Sequence, residues 1–293
     1  MTSTNVPDRV LGCKLHSCGV DWITATTRDE SWQQPLLLIG QGSIEDEIAA
    51  GHKPRPLAWL GYRGWAAGGV AYGIGAQGAI LRLSGAAAAE KWHYAVQHAH
   101  NVSRLDVQCT CEFTEAAPQL HQALYNVVLA QPRVAAGLAA ASCTEWSGGG
   151  GMVTYGRRVS DVYIRIYDKG VESGQDGPGK LWRWEVELKG SRALAAARGL
   201  HRASDQWTAC ASLVHKICCD RGVPVGWDSR TEVVPRISRL GPADDERTLK
   251  WVRDQVAPAL TRLYDLGHGE ALRALLSDVL LKLGGSTNDG RSS

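Results

Sequence analysis

The sequence predicts an α+β fold, with an antiparallel sheet core, flanking helices and C-terminal helices. Two observations predict it. Arg104–Glu112, Asp161–Glu172 and Leu181–Lys189 alternate between apolar and ionisable residues, the period of a strand with one wet face. Around them lie stretches with apolar residues at helical spacing.

In chain order, residues 1–12 are expected to be a disordered tail and Cys18–Thr27 the first strand. Ser31–Gly51 holds a helix, predicted to start with Ser43 as N-cap before Glu45 and Glu47. Trp59–Gly85, rich in Gly, Tyr and Trp, predicts a meander of short strands. Ala86–His100 is an Ala-rich helix leading into the Arg104 strand. Ala116–Ala141 is helical by pattern, with Pro132 interrupting it. Trp146–Gly151 is a glycine-rich loop before a hairpin whose second strand is the Asp161 segment. Ser173–Gly179 is a loop, and Ser191–Arg221 one long helix with an apolar stripe through Leu194, Leu200, Trp207, Ala211 and Val214. Helices over Thr248–Leu266, kinked at Pro258, and Glu270–Leu283 close the chain. The predicted units are thus a tail over 1–12, a core over 13–235, a helical region over 236–283 and a disordered tail over 284–293.

Composition excludes some classes. The 293 residues carry a formal charge of +2, so phosphate binding needs a local basic patch rather than a basic chain. The eight cysteines form no CxxC pair, which speaks against a zinc ribbon. Cys109 and Cys111 fall on an apolar strand face and behave as small hydrophobes. His98-Ala99-His100 ends a helical run, where its two imidazoles diverge, so it is no metal pair. The chain has no apolar run of membrane-spanning length, and a cytoplasmic location without membrane contact is expected.

The wet faces carry the chemistry. Tyr163, Arg165, Tyr167 and Lys169 share one face of their predicted strand. Arg104, Asp106, Gln108 and Thr110 share a face of theirs, as do Arg183, Glu185, Glu187 and Lys189. On one antiparallel sheet these faces converge into a site with carboxylates, phenols and cations. Carboxylates at this spacing suit Mg²⁺ or Mn²⁺. The plainer interpretation is a wet sheet face of cross-strand salt bridges.

The ordered series of motifs resembles the replication initiation factors of rolling-circle plasmids and filamentous phages, the Rep_trans type. It runs through VDWITAT at Val20–Thr26, GYRGWAAGG to RLSG within Gly61–Gly85, and VSRLDVQ at Val102–Gln108. It continues through TYGRRVSDVYIRIYDKGVE at Thr154–Glu172, LWRWEVELKG at Leu181–Gly190 and TLKWVRDQVAPAL at Thr248–Leu260. The resemblance implies a metal-dependent nickase that joins a tyrosine to the 5′ phosphate of origin DNA and frees a 3′-hydroxyl primer. It implies Tyr167 as nucleophile, with Tyr163 as runner-up. Arg165 and Lys169 are expected to favour the phenolate and to balance charge on the phosphorus. Asp106 and Glu185, and less strongly Glu187, are expected to hold Mg²⁺ or Mn²⁺. Arg157, Arg158 and Tyr163 are expected to contact DNA. Thr110 stands where many members carry a second acidic residue, which leaves the ligand count open. Expected partners are single-stranded or extruded origin DNA and a host helicase and polymerase, with a homodimer left open. The rivals are an origin-binding protein that does not nick, a nuclease that uses water, and a charged sheet domain without catalysis.

Overall fold

The computed structural model describes residues 13–28, 30–135, 137, 139–227, 257–271, 273–274 and 277. Both predicted tails and most of Thr248–Leu260 lie outside them. The chain divides into two units, Met1–Ser238 and Arg239–Ser293.

The first unit is built on one sheet. Its strands are β1 (Cys13–Thr27), β2 (Arg55–Trp59), β3 (Tyr62–Ala67), β4 (Val70–Gly75), β5 (Gly78–Ser84), β6 (Asn101–Phe113), β7 (Ala141–Glu145), β8 (Gly151–Tyr155), β9 (Val162–Asp168) and β10 (Leu181–Lys189). The order is β2-β3-β4-β5-β1-β6-β10-β9-β8-β7, and every neighbouring pair is antiparallel. The predicted α+β class is therefore observed. The long strands β1 and β6 lie in the middle, and β10 brings β9 against them.

Register sorts the side chains onto two faces, because residues directly opposite in an antiparallel pair share a face. Trp184 stands opposite Cys109 and Ile166; Val186 stands opposite Val107 and Ile164. All six are essentially buried. Helices α2 (Ala86–His98), α3 (Leu120–Leu129), α6 (Gly190–Arg202) and α7 (Gln206–Cys219) bury their apolar sides in this core. His121 of α3 stacks on Trp182, and Trp92 of α2 meets His201 of α6 edge-on. Trp184 Nε1 donates to Pro224 O at 2.9 Å. Burying such rings contributes on the order of 2 kcal/mol each.

Four local expectations differ. Helix α1 spans Glu30–Ala49, so Ser43 is mid-helix, and its hydroxyl donates back to Ile39 O at 2.6 Å rather than capping an end. The predicted 116–141 helix is α3 followed by the single turn α4 (Pro132–Ala135), because Pro starts a helix more readily than it continues one. Its last residue already belongs to β7, which pairs with β8. The predicted 191–221 helix breaks into α6 and α7, because the Asp205 carboxylate accepts from Thr208 N at 3.1 Å and caps a new start. Trp207, one residue past that start, is 45% exposed instead of joining the apolar stripe. The short helix α5 (Lys169–Ser173) follows β9 directly.

The described part of the second unit holds α8 (Ala257–Asp265). It ends at Gly267, whose φ of 89° is one that side chains avoid. Gly267 N donates to Tyr264 O and His268 N to Leu263 O, the paired bonds of a Schellman stop.

Candidate active site

The other face of β6, β10 and β9 is polar. Glu187 of β10 stands opposite Asp106 and Tyr163; Glu185 stands opposite Gln108 and Arg165; Arg183 stands opposite Thr110 and Tyr167. The sheet thus brings Asp106, Tyr163, Arg165, Tyr167, Glu185 and Glu187 together, as the strand parity predicts. Each carboxylate is buried, Asp106 to 1% exposure.

Buried charges need partners. Arg104 forks onto Asp106, with Nε to Oδ1 at 2.9 Å and Nη2 to Oδ2 at 2.6 Å, and reaches Glu187 Oε2 at 3.1 Å. Lys189 Nζ meets Glu187 Oε1 at 2.8 Å. Arg165 Nη2 is bonded to Glu185 Oε1 and lies 3.9 Å from Asp106 Oδ2. Burial opposes the charges of Arg104 and Arg165, but the carboxylates outweigh it and hold both above their ordinary value. Asp106 moves the other way. Burial, helped by the charges of Glu185 and Glu187 and only partly offset by Arg104, pushes it up to about 7.

Tyr167 sits at the edge of this cluster, 8% exposed. Its hydroxyl donates to Glu185 Oε2 at 3.2 Å. Burial first, then the Glu185 charge, holds the phenol well above its ordinary value, while Arg183 pulls it down. Arg183 is itself placed by Thr110 Oγ1, which accepts from its Nε at 3.0 Å. The Trp146 ring packs 6.4 Å from the phenol ring, centroid to centroid. Arg165 Nε is buried without a hydrogen-bond partner, an orphaned donor inside the cluster.

Asp168, the next residue, turns to the opposite face and organises the loops. It is fully buried, accepts from Val171 N at 3.2 Å to cap α5, and accepts from Gly179 N at 2.6 Å. Gly150, at φ 68°, leaves room for it, since a Cβ there would lie 2.5 Å from Asp168 Oδ2. One carboxylate thus ties α5 to the 174–180 loop, with the glycine loop that carries Trp146 packed close against it.

Two predicted placements are corrected. Lys169 is not on the strand face. Asp168 ends β9 by capping a helix, so Lys169 opens α5, where its Nζ pairs with Glu172 Oε2 at 2.5 Å. Arg183, not Lys169, is the cation whose charge favours the phenolate. Arg157 and Arg158 lie in the turn between β8 and β9, at the Tyr163 end of β9. The Arg158 guanidinium lies over the Tyr163 ring at 5.9 Å. They stand about 15–20 Å along the strand from Tyr167 rather than around it. Sequence parity placed Arg183 and Arg104 on the right face but gave neither a role; the capping role of Asp168 was visible only as an Asp before Lys-Gly.

Asp106 and Glu185 have the donor chemistry of a hard divalent cation site, all oxygen and buried. The Arg165 guanidinium bridges them, so a positive charge already stands between the two. Glu187 is committed to Arg104 and Lys189. Among the described residues no three His, Cys, Asp or Glu gather as a metal-ligand group. All four oxygens of the pair are thus engaged by Arg104, Arg165 or Tyr167, and the two carboxylates form no closed cage.

Residues 139–280 match the family model described as replication initiation factor, Rep_trans. Over these residues the chain is similar to the replication initiation factor family. The initiation-factor segment holds β8, β9, β10, α6 and α7, and with them Tyr163, Arg165, Tyr167, Glu185 and Glu187. Asp106 and Arg104 are added by β6, outside the matched residues. No curated protein matches the chain. A similar solved structure is that of a rolling circle replication initiator protein from Geobacillus stearothermophilus, 19% identical, covering 63% of this chain and 78% of that one at a TM-score of 0.44. No described helix is long and apolar enough to cross a membrane.

Proposed function

We propose that this replication initiation factor starts rolling-circle replication by nicking one strand of origin DNA through Tyr167. The observation that carries the proposal is the Tyr167 hydroxyl donating to Glu185 Oε2 at 3.2 Å, within proton-transfer reach. In the proposed step the phenol oxygen attacks a backbone phosphorus as Glu185 takes its proton. The bond from phosphorus to the 3′ oxygen breaks. That oxygen leaves with a proton from solvent, giving a 3′-hydroxyl primer and a 5′-phosphotyrosine. A phenol held above its ordinary value is a weak nucleophile until cations favour its ionised form. Arg183 supplies that charge at the ring, and Arg165, with its unpartnered Nε, offers a donor to a phosphorane oxygen.

Mg²⁺ or Mn²⁺ would be held by Asp106 and Glu185, and would supply Lewis-acid polarisation of a phosphate oxygen. The all-oxygen donor pair on adjacent strands supports this assignment. Tyr163, with Arg158 over its ring, extends the face as a DNA contact, and Arg157 of the same turn is a further one. Origin DNA in single-stranded or extruded form is the proposed substrate, the cytoplasm its place, and a helicase and polymerase of the host the agents that use the primer.

A second reading, origin binding without nicking, has one observation in its favour: every carboxylate of the face already has a cation partner. A covalent capture experiment separates the two. The protein is incubated with Mn²⁺ and a pool of randomised single-stranded oligonucleotides, then denatured, and the adduct is sized on a gel and its DNA sequenced. Nicking predicts an adduct at a preferred sequence, lost in EDTA. A protein that binds DNA but gives no adduct supports the second reading, and full adduct formation in EDTA removes the metal.

A further inference from the structure

A second basic site lies on the helix side of the sheet. Four arginines far apart in sequence line one cleft of about 500 Å³: Arg133 from α4, Arg157 from the β8–β9 turn, Arg192 from α6 and Arg221 just past α7. Its floor is buried Tyr155 and Val162.

The frame around the cleft is tied down. Gln131 Nε2 donates to Gly222 O at 2.9 Å, joining the α4 region to the end of α7. Gly156 N donates to Ala140 O at 2.7 Å, and Lys189 N to Asp161 O at 2.9 Å, fixing both ends of the turn.

The charge is unbalanced. Among the described residues none of these four guanidiniums is ion-paired to a carboxylate. The acids at hand are Asp161 in the lining and Asp220 beside it, and Asp220 is held by Lys216 at 3.0 Å. Burial lowers the Arg221 pKa; nearby Tyr155 and Asp220 oppose this, and Arg192 and Arg133 add to it. Like charges gathered on a fixed frame lack an anion.

We propose that this cleft binds phosphate, and that its ligand is a phosphodiester of the DNA strand bound by the initiation factor. Guanidinium forks match phosphate oxygens two at a time. A free nucleotide would want a ring to stack on, and the one aromatic in the lining, Tyr155, is 5% exposed. The cleft instead opens beside Arg158 and the turn that begins β9. Strand rise puts it about 20 Å from Tyr167. A strand nicked at Tyr167 is thereby gripped at a second point, several nucleotides away.

The inference rests on the DNA-binding part of the proposed function and not on nicking. It is tested with the full chain by fluorescence anisotropy, as the slope of log affinity against log KCl for a labelled oligonucleotide. Two double variants are compared with wild type: Arg192→Gln/Arg221→Gln, and the surface pair Arg133→Ala/Arg157→Ala, which keeps the test open if the first fails to fold. Each is expected to flatten the slope by about 1.5 units, the loss of two phosphate contacts. Adduct formation reports Tyr167 separately. A wild type that binds DNA, with unchanged slopes in both variants, overturns the cleft and leaves the nicking proposal standing. Melting with pyrophosphate separates the sources. A rise that the variants lose, at unchanged DNA slope, assigns the cleft to a free phosphate ligand and overturns its role on DNA.

Discussion

Tyr167 donates one hydrogen bond and is packed by one ring, so its removal is expected to be chemically severe and structurally mild. Tyr167→Phe should abolish the covalent adduct, lower stability by about 1 kcal/mol or less, and leave DNA affinity within about twofold. Denaturing gels, urea unfolding and anisotropy check the three parts; an adduct that persists in Tyr167→Phe and vanishes in Tyr163→Phe would move the nucleophile. Asp106 makes a prediction about pH. Its ordinary value of 3.8 describes the unfolded chain, and burial raises it to about 7 in the fold. Between those values the native state holds a proton that the unfolded state has lost. Native stability therefore falls as pH rises from about 4 to 7, and this contribution is flat outside that window. Asp106→Asn should flatten that fall in urea unfolding followed from pH 4 to pH 8. An unchanged profile would mean that the arginines neutralise the carboxyl fully.

At the scale of elements, the carboxylate of Asp168 holds one backbone N–H group of α5 and one of the 174–180 loop. Asp168→Ala should lower stability by about 1–3 kcal/mol, with Asp168→Asn recovering part of it, since the amide keeps one acceptor oxygen. It should also slow adduct formation more than it weakens DNA binding, because α5 and the 174–180 loop are released beside Tyr167. The β8–β9 turn makes a different prediction. Arg157→Ala with Arg158→Ala should weaken binding to every sequence alike and flatten the salt dependence by about 1.5 units. Equal loss on all sequences marks phosphate contact, whereas loss on one sequence would mark base readout.

These elements also show what was legible in the chain. The strands β6, β9 and β10 carry their ionisable residues at period two, so their wet faces and the grouping of Asp106, Glu185 and Tyr167 could be read directly. Lys169 fits the same alternation, yet a capping bond from Asp168 stops the strand one residue earlier. The α6–α7 break depends on a single carboxylate, Asp205, inside an otherwise helical pattern. β7 is five residues whose partner is β8, and such a short segment is decided by pairing rather than by propensity. The arginine cleft had no local signal at all, since its four residues meet only once α4, the hairpin, α6 and α7 are packed.

For the whole molecule, the strand order has a consequence for separability. The initiation-factor segment starts at residue 139, but β10 lies between β9 inside it and β6 outside it. The matched half is therefore not a portable cassette. Excised, it would present the entire β6-facing side of β10 as a raw edge, nine residues long from Leu181 to Lys189, with Trp182, Trp184, Val186 and Leu188 stripped of cover. Unprotected apolar edges recruit other chains. Residues 139–293 expressed alone should sediment as aggregates, while supplying residues 1–138 as a separate polypeptide during refolding should return a soluble 1:1 pair. A soluble, monomeric 139–293 fragment that still forms adduct would show that Asp106 on β6 is dispensable. The two halves of the chain thus resemble the halves of a split enzyme, each carrying residues that mean little until the central strands zip together.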